Sequence, residues 1–346
     1  MSLAKIAKAA GVSSATVSRV LNKRPGISAE TTQRILEIVK EMDYSPLPRA
    51  NRPGPNLAAK GIKNGNCGMV LMGVESTILH GPYARLVNQV STALSDYGMN
   101  FLLGCMSSSQ KTPAFLSNGQ VDCVIFLGHI PSEDWFNKIV KDTPCLWVMG
   151  SGEPYGDHIF PDNEMVGQAA AKYLLSKGCK RSLGLVFHSS GSNMWDCRRE
   201  GFASYMKENQ ACVEVLDAYR DEDQSNANEL VRSYVGMIND MQDKPDGVFI
   251  TSDSEVPVFY REISKIGLQP GKDIHIVSVN NDESCLVSLE PRPATIDLCP
   301  EVIGQMAVEH ILWRISKPQF NTRISCRVEP ILVTPDGENI KIADIS

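Results

Sequence analysis

From Cys67 onward the chain alternates short apolar runs with amphipathic stretches, and it does so in two successive series. The first series runs through Gly68 to Val74, Pro82 to Tyr97, Asn100 to Cys105, Val121 to Leu127 and Cys145 to Met149. The second opens on a helical stretch from Gly167 to Ser176. It continues through Leu183 to Phe187, Arg198 to Glu208, Glu214 to Asp217, a helix ending at Met241, Gly247 to Thr251, and Ile274 to Val279. Short apolar runs separated by helix-period segments predict parallel strands with helices on both faces of the sheet. Two such series predict an α/β domain of two lobes with a cleft between them. In sheets of this kind ligands collect beyond the carboxyl ends of the strands, so residues just after the runs are the candidates.

The residues ahead of this pattern have another character. Residues 1 to 63 carry eleven Lys and Arg against four Asp and Glu, a net +7, which leaves -13 for the remainder of a chain whose total is -6. A basic module on an acidic body suggests a polyanionic partner for the module alone. Leu3, Ile6, Ala7 and Ala10 fall at helical spacing before Gly11, a residue suited to a left-handed helix stop. Ser13 can cap a second helix whose inward face is Val17, Val20 and Leu21, closed by Lys23 to Gly26. Ser28 and Glu30 open a third, with Ile35, Val39 and Met42 on its apolar side. With the second helix packed this way, Ser14, Ala15, Ser18, Arg19 and Asn22 point outward. Small, polar and basic side chains suit a helix entering a DNA major groove, although any exposed helix face is also polar.

The segment from Ser2 to Pro46, with A-G-V-S, T-V-S-R-V-L-N and Y-S-P in order, resembles the DNA-binding headpiece of the LacI/GalR family of bacterial regulators. The resemblance implies a helix-turn-helix headpiece (1-45), a hinge linker (46-66) and a two-lobed periplasmic-binding-protein-like sensing and dimerisation domain (67-346). It places Ser14 and Ala15 at base-reading positions, Ser18 and Arg19 on the same face, and Ser13, Thr16, Asn22 and Ser28 at phosphate contacts. Its implied partners are a pseudo-palindromic double-stranded DNA operator, a small-molecule effector such as a sugar or other metabolite, and a second copy of the chain in a homodimer. A DNA-binding regulator or architectural protein without an effector is the alternative.

The hinge departs from the family pattern. Where the family has a short helix with a leucine wedge, this chain has Pro46, Pro48, Pro53 and Pro55 within ten residues. Proline disfavours a regular helix there. Arg49 and Arg52 suit an arm in a narrow minor groove. A helical turn at Asn56 to Lys60 and a plain linker are the other readings.

More loosely, the resemblance extends over the sensing domain through Pro161-Asp162-Asn163 ahead of Gly167, Arg198-x-x-Gly201-Phe202, Asp253, and Pro293-Ala294-Thr295-Ile296. It implies that Arg198 points into the effector cleft, where a guanidinium can grip two ligand oxygens at once. Asp253 is either an effector residue or a helix N-cap. Asn280, and Met149 near another such position, stand where the family commonly has aspartate, which argues against an ordinary sugar. Ser192 can supply a hydrogen bond, and Trp195 and Tyr219 are either stacking surfaces or core. The segment Ser107 to Ser117 is too short for the family's usual loop and outer helix.

No nucleophile elbow, Walker loop or zinc-binding helix motif occurs, and six dispersed histidines suggest no local metal site. The chain is therefore expected to be no enzyme and to need no cofactor. Ten cysteines without a C-x-x-C pair are expected to be buried small hydrophobes in a reducing cytoplasm. No apolar stretch is long enough to span a bilayer, and no membrane partner is expected.

Overall fold

The computed structural model describes residues 3–21, 27–42, 61–72, 81–106, 111–128, 132–140, 142–150, 155–188, 194–219 and 226–345. The chain forms two compact units, Met1–Arg52 and Pro53–Ser346.

In the first unit, α1 (Leu3–Ala10), α2 (Ser14–Leu21) and α3 (Ala29–Glu41) share one small core of Ile6, Ala7, Ala10, Val17, Val20 and Ile35. Gly11 stops α1 at φ +62, a conformation a side chain would strain. The Ser13 hydroxyl accepts from the Thr16 amide at 3.1 Å, and Ser28 accepts from the Thr31 amide at 3.2 Å. Both caps satisfy amide groups that a helix start leaves without an intrahelical acceptor.

The second unit contains two sheets. The first has the order β11-β5-β4-β3-β1-β2, from β1 (Asn66–Met72), β2 (Asn100–Met106), β3 (Cys123–Leu127), β4 (Cys145–Val148), β5 (Asp157–Pro161) and β11 (Ser325–Val328), all parallel. Around it lie α4 (Gly81–Asp96), α5 (Ala114–Ser117) and α6 (Glu133–Ile139). The second sheet is built from β6 (Arg181–His188), β7 (Cys212–Tyr219), β8 (Gly247–Ile250), β9 (His275–Val279), β10 (Ala294–Asp297), β12 (Ile331–Val333) and β13 (Asn339–Lys341). Its core order β10-β9-β8-β6-β7 is parallel, β12 adds antiparallel to β10, and β13 adds antiparallel to β12. Between its strands run α7 (Asn163–Ser176), α8 (Met194–Glu208), α9 (Ala227–Asp240), α10 (Val256–Lys265) and α11 (Glu283–Leu286). Helix α12 (Pro300–Ser316) follows β10 but packs on α4, β4 and β5 of the first lobe. The chain therefore passes between lobes three times: after β5, after β10 and after β11.

β5, α10 and α12 carry no counterpart in the sequence-based element series. Strand β5 is hard to see because Asp157 and His158 interrupt its apolar pattern, yet both are buried. Asp157 accepts two hydrogen bonds from the Arg314 guanidinium at 2.8 Å, one from the Ile324 amide at 2.8 Å, and lies 2.8 Å from His310 Nε2. That cluster fastens α12 to β5. The short Ser107 to Ser117 connection contains, among its described residues, only the single turn α5. Phe115 lies against Gly68 and Gly104, where an added Cβ would come within 2.7 and 3.0 Å of its ring. One aromatic ring covers sheet face that a longer helix would otherwise cover.

The cysteine expectation needs correction. Cys67, Cys123, Cys145, Cys179 and Cys299 are buried, Cys197, Cys285 and Cys326 are half-buried, but Cys105 and Cys212 are exposed. The two exposed ones lie on β2 and β7, each at the edge of its sheet, where no neighbouring strand covers them. Among the described residues no helix is long and apolar enough to cross a membrane.

Candidate functional site

On α2 the inward face is fixed by Val17 and Val20, 0% and 6% exposed, and Arg19 between them is exposed. Ser13 is exposed and Thr16 half-buried, their hydroxyls 2.9 Å apart. Ser28 is exposed, with its hydroxyl 2.8 Å from that of Thr31. These hydroxyls thus also serve as local caps. Ser14, Ala15 and Ser18 lie within α2, but their side chains fall outside the described residues, as do Asn22, Arg49 and Arg52 altogether.

In the second unit the carboxyl ends of β6, β8 and β9 bring several of the expected effector residues together. Arg198, on α8, is 2% exposed. Its Nε donates to Asn163 Oδ1 at 3.0 Å and its Nη1 to the Thr251 carbonyl at 2.9 Å. The Trp195 indole, one turn earlier, lies 5.0 Å from the guanidinium carbon. Burial pulls the Arg198 guanidinium down to about 10.

The local sequence explains this placement. Asp162 caps α7 by accepting from the Met165 amide at 3.2 Å, which leaves Asn163 in the first turn facing α8. Helices α7 and α8 cross at Gly167 and Gly201. A Cβ on Gly167 would lie 2.1 Å from the Arg198 carbonyl oxygen, and one on Gly201 would lie 2.1 Å from that of Glu164. Only two glycines permit so close a crossing, and the crossing sets Arg198 beside Asn163.

Asp253 is fully buried beneath the same strand ends. It accepts from the Ser278 hydroxyl at 2.5 Å, the Thr295 hydroxyl at 2.9 Å and the Asp282 amide at 2.7 Å. Burial pushes its carboxyl up to about 7 against these three donors. The N-cap alternative for Asp253 is not what the chain adopts: Ser252 caps the turn Asp253–Glu255 by accepting from the Ser254 amide. Asp253 instead holds the turn that carries Asn280, Asn281 and Asp282. Asn280 and Asn281 have φ of 113 and 49, and Asn280 Nδ2 reaches Ser252 Oγ at 3.4 Å. Trp195 is 6% exposed, so most of its ring is core; Tyr219 ends β7 with its side chain outside the described residues, and Ser192 lies outside them too.

Sequence reasoning missed a second network beside this one. Asn281 Nδ2 donates to Asp297 Oδ2 at 2.8 Å, and Arg85 of α4 donates to the same oxygen at 2.8 Å and to Glu301 at 2.7 Å. Gly81, at the start of α4, comes so close to Asp282 that a Cβ would lie 2.7 Å from its carboxylate. The 280s turn of the second lobe is thereby tied to the first helix of the other. A separate groove of about 410 Å³ between α8 and the edge strand β7, lined by Arg199, Lys207 and Val213 among others, includes none of the candidate effector residues.

A compact three-helix unit followed by two parallel-sheet lobes joined by three crossings defines a helix-turn-helix protein with a periplasmic-binding-type domain. Residues 2–47 match the family model of bacterial regulatory proteins of the lacI family, and residues 171–334 match that of the periplasmic binding protein-like domain. Among curated relatives, Catabolite control protein A of Staphylococcus epidermidis is 24% identical, covering 80% of this chain and 81% of that protein. The NTD biosynthesis operon regulator NtdR of Bacillus subtilis is 25% identical over 92% and 94%. The transcriptional repressor PurR of Aliivibrio salmonicida is 24% identical over 95% and 96%. Among solved structures, a CelR-cellobiose complex superposes with TM-score 0.64 at 21% identity, covering 98% of this chain and all of that one. The lac repressor dimer bound to operator and the anti-inducer ONPF gives 0.64 at 20% identity, over 99% of both chains. The headpiece is that of the lacI family of bacterial regulatory proteins, the body carries a periplasmic-binding-protein-like domain, and the chain is a DNA-binding transcription regulator.

Proposed function

We propose that the chain is a cytoplasmic homodimeric repressor without enzymatic activity, whose hold on a pseudo-palindromic operator is tuned by a small molecule bound between the lobes. The observation that carries this reading is α2, an amphipathic helix with Val17 and Val20 turned inward and Arg19 exposed. A dimer presents two such helices to successive major grooves, with Arg19 as a base or phosphate contact and Ser13, Thr16 and Ser28 beside the backbone. Ser14, Ala15, Ser18 and Asn22 complete the same face, and Arg49 and Arg52 of the 46–66 hinge add charge near the minor groove. Arg198 and Asn280 contact the effector, with Trp195, Tyr219 and Ser192 around it, and Asp253 acts through the turn that it holds. Closure of the lobes on the small molecule changes the spacing of the two headpieces.

Selection of duplexes from random DNA with the full chain tests the reading. Enrichment of a two-fold-related site is expected, and Arg19→Ala should weaken specific binding by about 1 to 3 kcal/mol, the scale of one good base contact. No enriched site, or an unchanged site preference in the variant, would overturn it. Sedimentation should give the mass of two chains; one or four would refute the homodimer.

A further inference from the structure

We infer that the small molecule held in the cleft is an anion, and that its carboxylate or phosphate pairs with Arg198. The inference rests on the proposed effector role of the cleft and names the ligand's chemical class. Arg198 is the most buried arginine among the described residues, yet its hydrogen bonds go to two neutral acceptors, the Asn163 side-chain oxygen and the Thr251 carbonyl. The half-buried arginines behave otherwise. Arg85 holds Asp297 and Glu301, Arg199 holds Asp217, Arg292 holds Glu283, and Arg314 holds Asp157. Among the described residues no carboxylate lies within ion-pair distance of Arg198.

The acids near it are committed elsewhere. Both oxygens of Asp253 receive hydrogen bonds from Ser278, Thr295 and the Asp282 amide. Asp282 Oδ1 is held by the amide and hydroxyl of Ser284, and its other oxygen rests against Gly81. Asn280, joined to Ser252 one residue from the Thr251 carbonyl, presents an amide. Asp253 favours the Arg198 charge through space but makes no ion-pair contact with it, and a cation withdrawn from water without a counter-ion in contact costs several kcal/mol. A protein keeps such a charge where something else neutralises it, and at the carboxyl ends of parallel strands that partner is a ligand. A guanidinium already oriented by two hydrogen bonds and a flanking indole is set for a carboxylate or phosphate, whose geometry its remaining N–H groups match.

The test is thermal unfolding of the full chain in chloride, in inorganic phosphate and in malonate, at equal ionic strength. At millimolar concentration at least one of the two ions should raise the midpoint by roughly 2 to 4 °C over chloride. Phosphate acting alone identifies a phosphate ester as the ligand group; malonate acting alone identifies a carboxylate. Arg198→Gln should abolish the shift. Should that variant fail to fold, Asn280→Asp decides, because it brings a carboxylate to the same strand end and should suppress the shift while Arg198 remains. Equal midpoints in all three salts, or a shift retained in the deciding variant, would overturn the inference. So would a neutral sugar, ribose, that stabilises the chain more than ribose 5-phosphate and ribonate do. These results are separable from the proposed function: an enriched operator with no anion response sinks only the ligand class, and an anion response without any enriched operator sinks only the regulator reading.

Discussion

A buried carboxylate makes the clearest residue-level prediction. The Asp253 carboxyl is pushed from its ordinary 3.8 up to about 7 by burial, so the folded chain holds this proton over a range where the unfolded chain has released it. Its share of stability is whole below about pH 4 and is lost as pH rises toward 7, with a slope of up to about 1.4 kcal/mol per pH unit. Asp157 works the other way. Burial would raise its carboxyl, but the Ile324 amide, His310 and Arg314 hold it below its usual range, so its share is lost as pH falls. Urea midpoints from pH 5 to 8 should therefore differ between the native chain and Asp253→Asn by a term that declines up to about pH 7 and is flat above it. A pH-independent difference would show that Asp253 is ionised throughout. Arg198 was legible in the sequence as the arginine of R-x-x-G-F; its partner Asn163 was legible only as part of a motif. The contact between them needs two helices to cross, and no spacing along one strand of sequence encodes that distance.

At the scale of elements, glycine pairs decide how closely layers approach. Gly201→Ala would drive a methyl group into the Glu164 carbonyl and part α7 from α8. It should cost about 1 to 3 kcal/mol or more, the usual range for overpacking, and should weaken any ligand response that needs Arg198. Thermal unfolding and the phosphate shift measured on one preparation check both. Phe115 plays the covering part in the first lobe, lying on Gly68 and Gly104 in place of an outer helix. The strands with uninterrupted apolar runs were readable because burial on both faces leaves no polar position. β5 was not, because its Asp157 and His158 are buried polar groups, and the burial of Asp157 makes sense only once Arg314 and His310 arrive from α12 about 150 residues later. Helix α12 escaped notice for a related reason: it is apolar on much of its circumference and lies against the lobe that the chain had already left.

At the scale of the whole second unit, three crossings and one polar network set how the lobes meet. Arg85 receives no help from water-facing solvation on Nη1, which is buried without a partner, and relies on Asp297 and Glu301. Arg85→Ala leaves two carboxylates facing each other and unties Asn281 from α4. The expected cost is about 1 to 3 kcal/mol, with faster amide exchange at residues 280–282 and in the first turn of α4. Hydrogen exchange unchanged at both places would show that the network does not hold the lobes together.

By itself the sequence determined the class of each segment: a basic three-helix unit, a proline-rich joint, and two series of parallel strands with helices between them. Those are local properties, written in the period of apolar residues, in caps such as Ser13 and Ser28, and in turn glycines such as Gly11, all of which act within a few residues. Tertiary structure alone decided that Arg198 would be buried beside neutral acceptors, that Asp253 would brace the 280s turn instead of capping a helix, and that Arg85 would join the lobes. Each of these depends on groups far apart in the chain meeting in a medium of low dielectric, where distance and burial, not residue type, set what a charge can do.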